Sequence, residues 1–195
     1  MARCANFGIN SSKNFFPLRI RKTLYYSLFY SHLNFGNLLW GCAKTKSLKK
    51  IESLQKRCIR NVSLKNFKAH SEPLFKDLNI LKFSDKLSQS RAVFMHKYRH
   101  KKLPTSFSGM FTDTTTTDSI QSRHNDYNYL NVPAIRKNLE NFPLKQIIFN
   151  WNYLSIELKA TADPTEFGIL LKRNYLSQYS YETECPDDCF NCKTN

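Results

Sequence analysis

Apolar residues recur at three- and four-residue intervals along most of this chain, the signature of helices with one buried face. From Pro17 to Leu33, the residues Leu24, Tyr25, Leu28, Phe29 and Leu33 fall on one side of a predicted helix, with Pro17 suited to its first turn. Asn34-Phe35-Gly36-Asn37 reads as a break, because Gly and Asn tolerate the left-handed backbone that ends helices. A second helix is predicted from Leu48 to Val62, burying Leu48, Ile51, Leu54, Cys58, Ile59 and Val62. Its other face carries Lys49, Lys50, Lys56, Arg57 and Arg60.

Ser71-Glu72-Pro73 marks a short helix with Leu74, Phe75 and Leu78 on its apolar side. Ser84 caps a fourth predicted helix carrying Leu87, Arg91, Phe94, Met95 and Tyr98, which ends near Lys101 as Pro104 approaches. Thr112 to Ser122 has no apolar period and reads as an exposed loop and a domain boundary. Beyond it, Tyr127, Tyr129 and Asn131-Val132 alternate weakly, as a short strand pair does. Phe142-Pro143 to Leu158 is predicted as one helix, and Asp163-Pro164 opens another with Phe167, Leu170, Leu171 and Tyr175. The expected fold is mainly α: a helical bundle over 18–111, a linker over 112–126, a smaller helical region with short strands over 127–180, and a Cys-containing tail over 181–195.

Composition narrows the partner. The 195 residues are 41% hydrophobic, enough for one core or two small ones, and 14% aromatic, which is too much for a disordered basic tail. Thirty Lys and Arg against fifteen Asp and Glu leave a net charge of +15, so the expected partner is anionic. The first residues lack the pattern of a cleavable signal peptide, and the most apolar stretch, Leu24 to Trp40, is interrupted by His32, Asn34 and Asn37. An intracellular protein without a membrane span is therefore expected.

Phosphate-cradling loops are missing, since neither G-x-x-x-x-G-K nor G-x-G-x-x-G occurs. Asp187-Asp188 is the one aspartate pair, and it lacks the flanking strands that fix two metal ions. Cys185, Cys189 and Cys192, spaced C-x3-C-x2-C, present three thiolates to a Zn²⁺ ion but no fourth ligand. The alternative is a tail with free thiols. His96 and His100 are four apart on one helical face, where Lys97, Arg99, Lys101 and Lys102 make a solvated basic face the simpler reading than a metal site. Two basic groups remain: Lys44, Lys46, Lys49, Lys50, Lys56, Arg57 and Arg60, then Arg91, Lys97, Arg99, Lys101 and Lys102. Such cations neutralise phosphates and release counterions without reading sequence. The aromatics Tyr25, Tyr26, Phe29, Tyr30, Phe35 and Trp40 offer base stacking, although at helical spacing they more simply form core.

The order of segments adds a resemblance. The run from Leu24 to Gly41 (LYYSLFYSHLNFGNLLWG), then Leu48 to Arg60 (LKKIESLQKRCIR), then Ala69 to Leu81 (AHSEPLFKDLNIL) resembles the region downstream of the catalytic palm in LINE-type, non-LTR retrotransposon reverse transcriptases. The similarity continues through Phe94 to Tyr98, Leu103-Pro104, Arg123 with Tyr127, Asn150-Trp151-Asn152, and Phe167 to Tyr179. Ser31 stands where the family usually has Pro, and Tyr153-Leu154-Ser155 where it has Ser-Leu-Pro.

The resemblance implies a thumb-like helical region that grips template and primer, in a family whose activity is RNA-directed DNA synthesis with Mg²⁺. The family's metal-binding aspartates match nothing here, and residues 1–17 correspond to the junction between palm and thumb. The expected function is that of a non-catalytic C-terminal fragment, without a cofactor of its own, that binds RNA, RNA:DNA hybrid or DNA nonspecifically and pairs with a palm domain in trans. The alternatives are a helical protein-interaction module or a decayed remnant without independent function, and a small zinc-dependent nucleic-acid binder.

Overall fold

Where the apolar period is strongest, the backbone coils as the spacing predicts. The computed structural model describes residues 2–111, 130 and 142–179, and among these the regular structure is helical, without a β-strand. The fold is mainly α. The described residues form two compact units, each discontinuous in sequence: 2–37, 45–85 and 174–179 make the first, and 38–44, 86–111, 130 and 142–173 the second. The weakly alternating segment around Tyr127 to Val132, apart from Leu130, lies outside the described residues.

The first unit begins with α1 (Ala2–Ser12), a helix outside the elements that the apolar spacing predicts. Its buried residues Ala5 and Ile9 are four apart. Next comes a rod of three segments, α2 (Leu18–Leu24), a π-helical stretch (Tyr25–Tyr30) and α3 (Ser31–Asn34), joined through right-handed helical backbone at Tyr25 and Ser31. Arg21, Tyr25, Phe29 and Leu33, spaced four apart throughout, are all buried. A strict four-residue repeat drifts about 40° per step around an α-helix. The wider π turn corrects that drift and keeps the row facing inward. The same register change leaves Leu28 exposed, although the α-helical spacing put it on the buried side.

After Phe35 and Gly36, with Gly36 at φ +60, α4 (Asn37–Trp40) leads to α5 (Thr45–Val62). Helix α5 packs against α1, α2 and α6 (Ser71–Asp77), while α1 also packs against the π stretch. Cys58, Ile59 and Val62 are buried as predicted, and so is Gln55, which the apolar stripe did not include. The Gln55 amide donates to the Tyr25 hydroxyl and to the Leu81 carbonyl, both at 3.0 Å. Both partners lie in the core, so the bonds offset the cost of burying the amide.

Three helices end in one manner. Leu64, Asn79 and Lys101 adopt φ of +53, +57 and +53 at the ends of α5, α6 and α7 (Phe83–Arg99). In each, the following N–H reaches back five residues: Lys65 to Arg60, Ile80 to Phe75 and Lys102 to Lys97, at 3.0, 2.9 and 2.8 Å. This Schellman closure satisfies carbonyls that a helix end leaves open. Two of the three left-handed positions hold Leu and Lys, where Gly is the usual choice.

In the second unit, α7 is joined by a short 3-10 turn (Thr105–Phe107), α8 (Pro143–Asn152), α9 (Ile156–Lys159) and α10 (Pro164–Ser177). The single helix predicted over 142–158 is two. The break falls at Tyr153 to Ser155, where Ser155 is extended and precedes α9. The side chain of Asn152 pairs with the main chain of Leu130, accepting its N–H at 3.1 Å and donating to its carbonyl at 3.0 Å. Asp163 caps α10 as its position before Pro164 predicts, accepting from the Thr165 and Glu166 N–H groups at 3.1 and 3.0 Å. The bond from Glu166 leads the causes that hold its carboxyl below the usual range.

His96 corrects the reading of a solvated basic face. It is 0% exposed, stacks on Phe167 at 4.3 Å between ring centroids, and donates from Nε2 to the Thr161 carbonyl at 2.6 Å. The aromatic neighbours Phe167 and Trp151 lie on helices distant in sequence, so periodicity within α7 does not reveal the burial. His100, its ring 4.3 Å away, is on the exposed side. Burial lowers the His96 pKa, with His100 and Lys102 adding to the shift and the Thr161 carbonyl and Asp163 opposing it.

Two outcomes follow. Leu64→Gly relieves a left-handed Leu that is half exposed, and should stabilise the fold by about 0.5–1 kcal/mol, while Leu64→Val should destabilise it, as read by urea unfolding. His96 resists protonation in the fold but gains a proton freely when unfolded, so stability should fall as pH drops from 7 through about 6.5 toward 5. His96→Phe keeps the ring stack and should flatten that dependence; an unaltered slope in the urea midpoint against pH would count against this assignment.

Candidate functional site

Helix α5 turns Gln55, Cys58, Ile59 and Val62 inward and leaves its other face to Lys and Arg. Lys46, Lys49, Lys50 and Arg57 are exposed, and Lys56 and Arg60 are half-buried. Arg60 is oriented by a bond from its Nε to the Ala69 carbonyl at 2.7 Å. Two depressions in the first unit share Arg57 and Arg60 on their walls.

The first, about 300 Å³, mixes signs: Glu52 and Glu72 stand with Lys56 and Lys82, and Lys82 pairs with Glu72 at 2.7 Å. Arg57 and Arg60 stand on the same wall, so its cations outnumber its carboxylates by four to two. The second, about 530 Å³, is lined by Arg3, Lys13, Arg57, Arg60 and Lys65, by the amides of Asn6, Asn10, Asn61 and Asn66, and by the rings of Phe7 and Phe67. No carboxylate is among its lining residues. Its floor is an amide relay between α1 and α5: Lys13 Nζ donates to Asn61 Oδ1 at 3.3 Å, and Asn61 Nδ2 donates to Asn6 Oδ1 at 3.0 Å. The Cys58 thiol reaches the same Asn6 oxygen at 3.3 Å, and burial pushes its pKa up to about 12, so it is a neutral donor there.

The predicted cations thus divide. Arg57 and Arg60 enter the carboxylate-free cleft, and Lys46, Lys49 and Lys50 stand on the same helix. Lys44, Arg91, Lys97, Arg99, Lys101 and Lys102 belong to the second unit. There Arg91 donates from Nη2 to the Gly41 carbonyl at 3.1 Å, which fixes the 38–44 segment on α7, and Lys102 lies 3.8 Å from Asp163. Arg99 and Lys101 line a depression of about 400 Å³ with Tyr98 and Phe107.

Arg3, Lys13 and Lys65 line the cleft and lie outside the two basic clusters of the sequence. A signal for the first was present: Arg3, Phe7 and Asn10 recur at the spacing of one helical face, away from Ala5 and Ile9. Among the aromatics weighed for stacking, Tyr25 and Phe29 are core, whereas Phe35 is exposed. Cys185, Cys189, Cys192 and Asp187-Asp188 lie outside the described residues. Among the described residues no three His, Cys, Asp or Glu side chains converge on a metal position, and no helix is long and apolar enough to cross a membrane. Compared with known proteins, the chain matches no family model, no curated protein and no solved structure.

Proposed function

We propose that this chain binds RNA or RNA:DNA hybrid through phosphate contacts that do not read sequence, with the cationic face of α5 and the cleft at its C-terminal end as the surface. The observation that carries this reading is the cleft of about 530 Å³ whose five cations face no carboxylate among its lining residues. A polyanion gains by releasing counterions when it binds a cationic wall of this kind. The segment order resembling the thumb and downstream region of LINE-type reverse transcriptases supports the same ligand class. No catalytic step is assigned to this chain.

A second reading, a helical protein-interaction module, is favoured by one feature. Phe15, Phe16, Leu18 and Ile20, around the start of α2, are all exposed large apolar side chains. A patch of this kind promotes association.

Reversing Lys49, Lys50, Lys56 and Arg57 to Glu should weaken binding to all sequences alike. The slope of log affinity against log salt should shrink by about 0.7–0.9 for each lost phosphate contact. Fluorescence anisotropy with single-stranded RNA, hybrid and duplex DNA at two salt concentrations measures both. An unchanged salt slope would remove α5 from the interface, and elution of the unmodified chain as an oligomer that ignores nucleic acid would favour the second reading.

A further inference from the structure

We propose that the cleft between α1 and the end of α5 is a site for an unpaired nucleotide, so that the chain prefers single-stranded nucleic acid over a duplex. The inference rests on the phosphate-binding reading above and adds the form of the ligand. Phosphate contacts alone do not favour the single strand, because a duplex presents the higher density of backbone charge. The two aromatic rings do.

Phe7 is 73% exposed and Phe67 is 59% exposed, and both line the carboxylate-free cleft. Phe7 projects from α1, on the face opposite Ala5 and Ile9, where a helix in contact with water alone would carry a polar residue. Phe67 is carried by the segment that follows α5, which the left-handed Leu64 turns back along the helix. The Lys68 ammonium lies 5.9 Å from the Phe67 ring centroid. Each ring thus has cations nearby and an apolar face in water, the combination that receives a base while its phosphate is neutralised.

The cleft has the chemistry of a base-and-phosphate site in other respects. Its volume, about 530 Å³, is within the range of small-ligand sites, about 300–1,000 Å³. Asn10 and Asn66 are exposed carboxamides in the lining, and each carries donors and an acceptor for base edges. Arg3 comes from α1 and Lys13 from the turn after it, and Arg57 and Lys65 from α5 and the turn beyond it, so both walls of the cleft supply cations. A duplex keeps its bases stacked within the helix and offers this cleft only its phosphate edge. An unpaired strand offers both parts.

The test titrates the full chain with an RNA single strand of about ten nucleotides, carrying one aminopurine base, and with the same strand paired to complementary DNA. The expected result is quenching of aminopurine fluorescence on binding of the single strand and tighter binding of that strand than of the hybrid. Phe7→Ala and Phe67→Ala should each weaken single-strand binding by about tenfold, with little change for the hybrid and no change in salt slope. Phe7→Trp and Phe67→Trp should retain the binding. Both rings are mostly in water, so their truncation should leave the far-UV circular dichroism intact.

Equal loss on both ligands, or no loss on the single strand, overturns the nucleotide site and leaves the phosphate-binding face of α5 standing. Absence of quenching on a bound single strand does the same. If the unmodified chain binds neither ligand at low salt, both readings fall together.

Discussion

A buried guanidinium joins the first segment of the rod to the end of α5. Arg21 is 7% exposed, and its Nη1 donates to the carbonyl of Val62, the last residue of α5. A helix leaves its final carbonyls open and carries partial negative charge there, so a cation at that end satisfies an acceptor and the helix dipole together. Burying a charge is costly unless it is hydrogen-bonded, and this bond ties the charge to the place where it is most favoured. Arg21 also begins the four-residue row of Tyr25, Phe29 and Leu33, so the contact that closes α5 sets the register of the rod packed beside it.

The same chemistry recurs at four other places. Lys22 donates to the Leu78 carbonyl at 2.8 Å, Arg60 to Ala69 at 2.7 Å and Lys76 to Tyr179 at 2.8 Å in the first unit, and Arg91 to Gly41 at 3.1 Å in the second. With twice as many cations as carboxylates, the chain uses Lys and Arg against its own carbonyls. The net charge of +15 therefore has two destinations, and its total does not measure affinity for a partner. Placement does. Lys46, Lys49, Lys50 and Arg57 on α5, with Arg3 and Lys65 at the cleft, are exposed to solvent, and these carry the argument for an anionic ligand.

The mainly α fold was legible because one-sided apolar periods are local, and the stripe Cys58, Ile59 and Val62 is buried as its spacing requires. What periodicity misread depends on contacts between distant segments. The π stretch answers a four-residue row that has to keep facing the core, and its effect shows at Leu28. His96 follows the period of a basic face until Phe167 and Thr161, more than sixty residues on, cover it. The basic row of α5 was legible on the same local grounds, whereas the cleft was not, because its other wall is α1, brought to α5 by tertiary packing. The spacing of Arg3, Phe7 and Asn10 was visible, but only the packed helix pair gives it a facing wall.

The link from backbone to site runs through the end of α5. A helix continued past Val62 would carry Lys65 and Phe67 away along its axis. The left-handed Leu64, held by the bonds from Leu64 N–H to Asn61 at 3.3 Å and from Lys65 N–H to Arg60 at 3.0 Å, turns the chain back instead. Arg60 then reaches the returning segment at Ala69, so one side chain fixes the loop and lines the cleft. The sequence places a Leu where the backbone favours Gly, and the cost of that conformation is met by the bonds around it. The cationic wall and the aromatic ring beside it are thus consequences of how this helix stops, and the strength of that stop sets how well the two are held in place for a ligand.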